Sequence, residues 1–421
     1  MIAAEENALL TQTDPGTPCG ALMRRYWQPV ALSEELPAGG APLKVKILGE
    51  ELALFRDDQG RPGLIGLHCA HRGTDLSYGR VEDGGLRCLY HGWLYDICGR
   101  VIDQPGEPGG GANKAAIRHL AYPCHEVGGI ILTYMGPGDP PLVPNYEFLT
   151  VAPEHRTAVK VMYECNYLQG NEGNIDPVHL SFLHQILDEA QIARRRVVQS
   201  VNASDNTLLA KDVAPTIEVA VTNFGLRIYT TRDASADKRY LRVTNFVMPN
   251  LSAFGGSTVG DGYAVHWHVP IDDHHHWKYI FAFSRTSPLD DFLRTRSRAE
   301  LTADYRLTKN AANRYQQDRA SMQTQTFTGM GTNFQVHDAF ATESQGPVQN
   351  RTEENLVSSD KAIVAARKLI LNGIKDVQEG RDPQHVIRDA KANGFPNLVV
   401  ISDVIAKSMD WKEYTRSREL K

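Results

Sequence analysis

Four residues in two short segments have the types and spacing of metal ligands. Cys69 and His71 are separated by one residue, Cys88 and His91 by two, with sixteen residues between the pairs. Two thiolates and two imidazoles could hold zinc. Zinc fingers, however, usually place two cysteines on one knuckle and two histidines on the next element. Here each segment supplies one of each. That suits a cluster of two chemically distinct irons, cysteines on one and histidines on the other. Gly73, Gly79, Gly84, Gly85 and Gly92 give both loops the freedom to close round a small inorganic core.

A second constellation lies in GNIDPVHLSFLH, residues 173–184, which holds Asp176, His179 and His184 in an otherwise apolar stretch. A plain helix start accounts for Asp176 as N-cap and for Pro177 at the first helical position. It leaves both histidines unexplained. Two imidazoles and one carboxylate are the donor set of the facial triad that holds non-haem Fe(II) with positions left open. On an ideal helix, residues five apart sit about 140° apart, so a shared metal requires local distortion, and a π-bulge is the expectation. The run HHHW at 274–277 follows two aspartates and reads as a polar turn between strands.

These residues need elements to position them. A chain of 421 residues is too long for one simple core and implies two domains. A lead-in over 1–40, a first domain over 41–150 and a second over 151–421 are expected. From Leu43, segments such as LKVKILGEELALFRD alternate like β-hairpins, and the proline-rich MGPGDPPLVP marks the boundary. Beyond it, IEVAVTNFGLRIYTT, YLRVTNFVMP, YAVHWHVP and KYIFAFS alternate like strands of an antiparallel sheet. Residues 293–322 and 358–379 read as helical, the latter with Ile363, Ala366, Ile370 and Ile374 in an apolar stripe. The fold class is therefore α+β, an all-β first domain followed by an antiparallel sheet with helices.

Composition narrows the partners. A formal net charge of −5 gives no reason to expect nucleic acid or an anionic membrane. No apolar run reaches the roughly 18 residues of a membrane span, and MIAAEENALL lacks the basic start of a secretory signal, so the cytoplasm is the expected location. Six cysteines are few for this length and fit thiols or ligands better than disulfide staples.

The pattern C-x-H-x16-C-x2-H, followed by HGW, resembles the Rieske [2Fe–2S] domain. D-x2-H-x4-H after such a domain resembles the Rieske non-haem iron oxygenases. RYWQPVAL, NYLQGNEGNIDPVHLSFLH and ESQGPVQNRTEENLVSSDKAI extend the resemblance to nearly the whole chain and to the phthalate-dioxygenase-like branch, built of α-subunits alone. It implies a helix-grip catalytic domain, with Cys69 and Cys88 on one iron, His71 and His91 on the other, and His179 and His184 on a mononuclear Fe(II). Asp176 would bridge a ligand histidine to the cluster of a neighbouring subunit, which requires a homo-oligomer, a trimer or a multiple of three. The carboxylate ligand would come from Asp338, in FQVHDAFATESQGP, or Asp360, in SSDKAIVAARKLI, and the resemblance favours Asp360. Respiratory Rieske proteins carry an extra cysteine in each loop; here those positions are Thr74 and Tyr90, which implies a potential toward the low end of the Rieske range.

The resemblance further implies a terminal oxygenase that takes electrons from a flavin and iron–sulfur reductase, itself fed by NAD(P)H. With O2 it would hydroxylate an aromatic substrate, an aromatic acid above all, by ring hydroxylation or dihydroxylation or by O-demethylation. Of the two arginines that hold phthalate in that branch, one corresponds to Arg242; the other position falls at Val213, where no charge is present. A different class of reading is a zinc-stabilised binding protein without redox chemistry, which predicts a colourless preparation.

Overall fold

The computed structural model describes residues 1–192, 204–255, 261–295 and 298–419. The first forty residues are built into the body of the molecule. Helices α1 (Ala4–Thr11) and α2 (Pro18–Met23) lead to strand β1 (Gln28–Leu32). β1 pairs antiparallel with residues 130–133 at the far end of the first domain.

That domain is all β, as its alternation implies. β2 (Leu43–Ile47) and β3 (Glu50–Arg56) form a hairpin closed by Leu48 and Gly49, both at positive φ, 50° and 78°. Such mirror-image turns match the right-handed twist of the strands. β4 (Pro62–Gly66) extends this sheet. β5 (Arg80–Glu82), β6 (Gly85–Arg87), β7 (Leu94–Tyr95) and β8 (Val101–Asp103) make a second small sheet. β9 (Ala121–Tyr122) returns to β4, and β10 (Cys124–Val127) and β11 (Ile130–Thr133) complete the three-stranded sheet with β1. Phe55, Ile65, Leu67, Leu76, Leu86 and Tyr95 pack into a separate core beneath the loops that carry the Cys–His pairs.

The second domain is an eight-stranded antiparallel sheet. Its strands are β12 (Arg156–Tyr163), β13 (Thr216–Val221), β14 (Gly225–Asp233), β15 (Lys238–Val247), β16 (Leu251–Phe254), β17 (Ala264–Asp272), β18 (His275–Phe283) and β19 (Ile401–Ala406). They run in the order β12-β18-β17-β16-β15-β14-β13, with β19 also on β15. Leu251, Val265, Trp267, Val269, Tyr279 and Phe281 point into the main core. The other face carries His266, His268, His276 and Lys278, and it meets α4 (Tyr167–Ile175), which follows the short α3 (Glu147–Thr150).

α4 is held by charge in a dry place. Glu172, 6 % exposed, accepts from Arg351 at 2.9 Å and from Arg367 at 2.6 Å. A buried carboxylate is tolerated only with such pairing. Arg367 belongs to a long helix (Lys361–Gln378) whose buried Ala362, Ala366, Ile370 and Ile374 recur every fourth residue, the stripe that fixes its core face. This helix also packs on α1 and α2, so residues 361–378 close on the first two helices.

The expected helix over 293–322 is not formed. After the five-residue Asp291–Thr295 helix, residues 298–322 are turns and short 3-10 segments, with Arg314, Tyr315 and Gln316 at positive φ. Polar groups there bond locally, as where Asn310 caps Ala312, and that competes with a continuous helix. The domains join at the β2–β3 turn. Leu48 and Gly49 donate to the carbonyls of Pro270 and Ile271, each at 2.9 Å, and Lys46 pairs with Asp272 at 2.7 Å.

Candidate metal centres

The two Cys–His loops are built alike. The Cys69 amide donates to the Thr74 carbonyl at 2.8 Å, and the Gly73 amide returns to the Cys69 carbonyl at 2.8 Å. In the second loop Cys88 donates to Trp93 at 2.8 Å and Gly92 to Cys88 at 3.1 Å. Gly73 and Gly92 occupy the left-handed region, φ 76° and 74°, which closes each loop. Cys69 and Cys88 are buried, His91 is half-buried and His71 exposed. The rings of His71 and His91 lie edge to face at 4.5 Å, and His71 stacks flat on Trp93 at 4.7 Å. The donor set is therefore split, sulfur inward and nitrogen outward, which fits a two-iron cluster with unlike ends. The Tyr95 hydroxyl accepts from the Ala70 amide at 3.1 Å and lies 3.0 Å from Cys69 Sγ, placed to donate to a thiolate.

The second centre draws on distant segments. α4 ends at Asp176, which serves as its C-cap and not as the N-cap of a new helix. The Asp176 carboxylate accepts from the Val178 amide at 2.8 Å and the His179 amide at 3.3 Å, and so folds the chain into a single 3-10 turn, His179–Ser181. The chain then leaves helical geometry at Phe182. This break, in place of the expected π-bulge, lets residues five apart face each other. The rings of His179 and His184 are 5.0 Å apart.

The third member is Asp338, in helix α5 (Phe334–Glu343). Ligand atoms of His179, His184 and Asp338 all lie within 4.8 Å of one another, and Asp338 Oδ1 is 2.9 Å from His184 Nε2. The expectation that Asp360 completes this set is corrected. Asp360 stands at the start of the Lys361–Gln378 helix, where its Oδ2 accepts from the Val357 amide at 2.7 Å. Its carboxylate does the ordinary work of a helix start.

Electrostatics suit a cation. Burial alone would raise the Asp338 carboxyl, but Lys278 and His184 outweigh it and hold the group well below the usual carboxylate range. Asp176 is likewise held low, against burial, by His179 and backbone amides. His179 Nδ1 lies 3.6 Å from Asp176 Oδ2, beyond hydrogen-bond length, and is a buried nitrogen without a partner. Two imidazoles and an ionised carboxylate with such a nitrogen among them fit a divalent ion.

Sequence reasoning missed the polar chain beside this centre. The His276 Nδ1–H donates to the Cys165 carbonyl at 2.7 Å, so its Nε2 accepts from the His268 Nδ1–H at 3.0 Å. His268 Nε2 then accepts from the Asn174 amide, whose Oδ1 accepts from the His266 Nδ1–H at 2.9 Å. Burial holds His276 down at about 3 and His266 and His268 well below their ordinary value, so all three are neutral. The polar-turn reading of HHHW holds only for His274; His275, His276 and Trp277 lie in β18. Alternation in a strand was the available signal, because His266 and His268 share a face two residues apart.

Arg242 is buried, 7 % exposed, in β15 opposite Thr230 and Ser402. Pairing of Phe246 with Ser252 and of Ser252 with His266 puts it on the sheet face that meets α4. Val213 is 41 % exposed in a loop. Tyr90 packs on His91 at 3.8 Å between ring centroids. No helix among the described residues is long and apolar enough to cross a membrane.

Residues 26–121 match the family model of the Rieske [2Fe-2S] domain, and residues 133–421 match that described as LigXa C-terminal domain like. The chain is 33 % identical, over 98 % of its length and 95 % of the relative's, to the phthalate 4,5-dioxygenase oxygenase subunit of Pseudomonas putida. It is 30 % identical, over 98 % and 90 %, to the 5,5'-dehydrodivanillate O-demethylase oxygenase subunit of Sphingobium sp. (strain NBRC 103272 / SYK-6). Among solved structures, the reduced complex between oxygenase and ferredoxin in carbazole 1,9a-dioxygenase shares its fold at a TM-score of 0.56 and 20 % identity, over 88 % of this chain and 93 % of that one. Dicamba monooxygenase bound to dicamba does so at 0.57 and 17 %, over 85 % and 99 %. None of these supports the zinc-stabilised binding protein.

Proposed function

The chain belongs to the Rieske non-haem iron oxygenases, and from that premise we propose that it is the terminal oxygenase of a system fed by a separate flavin and iron–sulfur reductase. Its reaction would couple two electrons, two protons and O2 to hydroxylation of an aromatic acid. In monooxygenation one oxygen enters the substrate and the other leaves as water; in dihydroxylation both enter the ring. The single observation that carries this reading is the convergence of His179, His184 and Asp338 within 4.8 Å, in a chain that also bears a split Cys–His cluster site.

Cys69, Cys88, His71 and His91 would hold the [2Fe–2S] cluster, and His179, His184 and Asp338 the mononuclear iron. When bound, the cluster supplies single electrons and the iron supplies open positions for dioxygen activation beside the substrate. The protein's own part is geometric. Asp176 shapes the turn that presents His179 through the Val178 and His179 amides. In an oligomer the same carboxylate would accept from His91 of the partner subunit, so a trimer or a multiple of three is the expected state. The half-exposed His71–His91 end of the cluster site suits such a contact. Arg242 would pair with a substrate carboxylate. Val213, exposed and uncharged, offers no second clamp at that position, which favours a monoacid, such as a methoxylated benzoate, over phthalate.

The test is a screen of aromatic acids with a surrogate reductase, following oxygen uptake against product. Coupled turnover supports the reading; formaldehyde release marks demethylation and a cis-diol marks dioxygenation. A colourless protein without a rhombic reduced-state EPR signal would overturn it.

A further inference from the structure

Lys278 is a cation with no route to water. Its side chain is 1 % exposed, and its Nζ donates to Asp338 Oδ2 at 2.9 Å and to the Tyr163 hydroxyl at 3.2 Å. Tyr163 in turn donates to the Gln335 carbonyl at 3.0 Å, so its oxygen is free to accept from the ammonium. The other Asp338 oxygen, Oδ1, faces His184 Nε2 at 2.9 Å. One carboxylate thus spends its two oxygens on two different neighbours. One looks at the ammonium, the other at the imidazoles.

We propose that Lys278 is a positioning residue that reserves Oδ2, so that Asp338 offers a metal Oδ1 alone and one more coordination position stays open. This rests on the assignment of iron to His179, His184 and Asp338. A carboxylate can bind a metal through one oxygen or two, and the second mode uses up a position. To adopt it, Asp338 would have to turn Oδ2 away from Lys278. That would strand a buried ammonium on one hydroxyl, and an uncompensated buried charge is strongly destabilising. β12 and β18 hold Tyr163 and Lys278 on adjacent strands of one sheet, so an ammonium that followed the carboxylate would give up the Tyr163 hydroxyl. Lys278 also cancels part of the charge that would draw a cation, which makes the metal's hold weaker than an unpaired carboxylate would give.

The two consequences have a sign that a merely structural lysine does not share. The probe is Co(II) added to the cluster-loaded full chain, because its visible bands weaken as coordination number rises. Wild type should take up one Co(II) lost in H179A; failure there refutes the iron assignment and not the role of Lys278. In K278M, Oδ2 is released to the metal. Co(II) should then bind roughly tenfold tighter, with band intensity lowered roughly threefold by the extra ligand, and nitric oxide should bind the Fe(II) form more weakly. K278R keeps the cation and should retain the wild-type spectrum. Unchanged bands in K278M, or Co(II) bound no tighter, would overturn the proposal. Should K278M fail to fold, a crystal of the iron-loaded wild type decides it: both Asp338 oxygens bonded to metal refutes the proposal, and Oδ2 still on Lys278 supports it.

Discussion

His184 and His337 meet nitrogen to nitrogen, Nδ1 to Nδ1, at 3.3 Å. His337 is anchored at its other end, where Nε2–H donates to the Gly331 carbonyl at 2.9 Å. Its Nδ1 is therefore a lone pair and takes the proton of His184 Nδ1. That leaves His184 Nε2 unprotonated and facing Asp338. The Gly331 carbonyl thus fixes the tautomer of His184 through His337. Partners of this kind typically matter 10- to 100-fold for metal affinity. H337F keeps the ring and removes the acceptor, so iron affinity should fall by about that factor while the cluster absorbance is unchanged. Metal analysis after graded chelation reads both.

The carboxylate assignment separates two variants. D338A should lose the mononuclear iron and retain the cluster. D360A should retain both and lose only a helix-start interaction of about 1 kcal/mol. Iron content per chain together with the cluster EPR signal distinguishes them; iron lost from D360A would restore Asp360 as the ligand.

D176N tests the bridge. Asparagine still accepts from the Val178 amide, so the turn that presents His179 survives and both centres should load. Its neutral amide cannot serve as the charged link between subunits. Cluster oxidation in single turnover should slow at least about 100-fold, a loss typical of removing a positioned charged group. Stopped-flow decay of the reduced cluster with substrate and O2 is the measurement.

A pH dependence follows from the domain junction. Burial would raise the Asp272 carboxyl, but Lys46, the His274 amide and His275 outweigh it and lower it to about 2. A depressed carboxylate stabilises the fold above its ordinary value and loses that contribution as pH falls from about 4 toward 2. After allowance for partial exposure of Lys46, D272N should cost roughly 1 kcal/mol at pH 7. Denaturant midpoints of variant and wild type should converge near pH 2; a gap constant with pH would refute the charge origin.

The legible parts of this molecule were the local ones. Cys69, His71, Cys88 and His91 sit within two loops, so spacing alone carries them. The Asp176, His179 and His184 set lies within nine residues. The hairpin at 43–56 and the stripe of the Lys361–Gln378 helix follow from alternation and fourfold recurrence. The third ligand did not, because Asp338 meets His184 only through packing of α5 against the sheet. Asp360 was favoured by the resemblance alone, while its local signature, a helix start, describes a structural job. The signal for Asp338 was its setting: His337 and Asp338 stand between the buried Val336 and Ala339 in a helix that is covered on several sides, where burial demands partners. Residues 298–322 misled for the opposite reason. Their helix-compatible composition is overridden by caps and turns that close locally.

The packing of α1 and α2 on the Lys361–Gln378 helix sets an order of events in synthesis. Leu22 lies against Gly373, and α1 and α2 find their seat on a helix made some 340 residues later. Until that helix is made, those opening turns lack part of the apolar surface they rest on. The nascent first half carries greasy segments in the open until the final stretch emerges. Truncation before Lys361 should therefore reach backward and leave the beginning of the polypeptide as a target for chaperones and proteases.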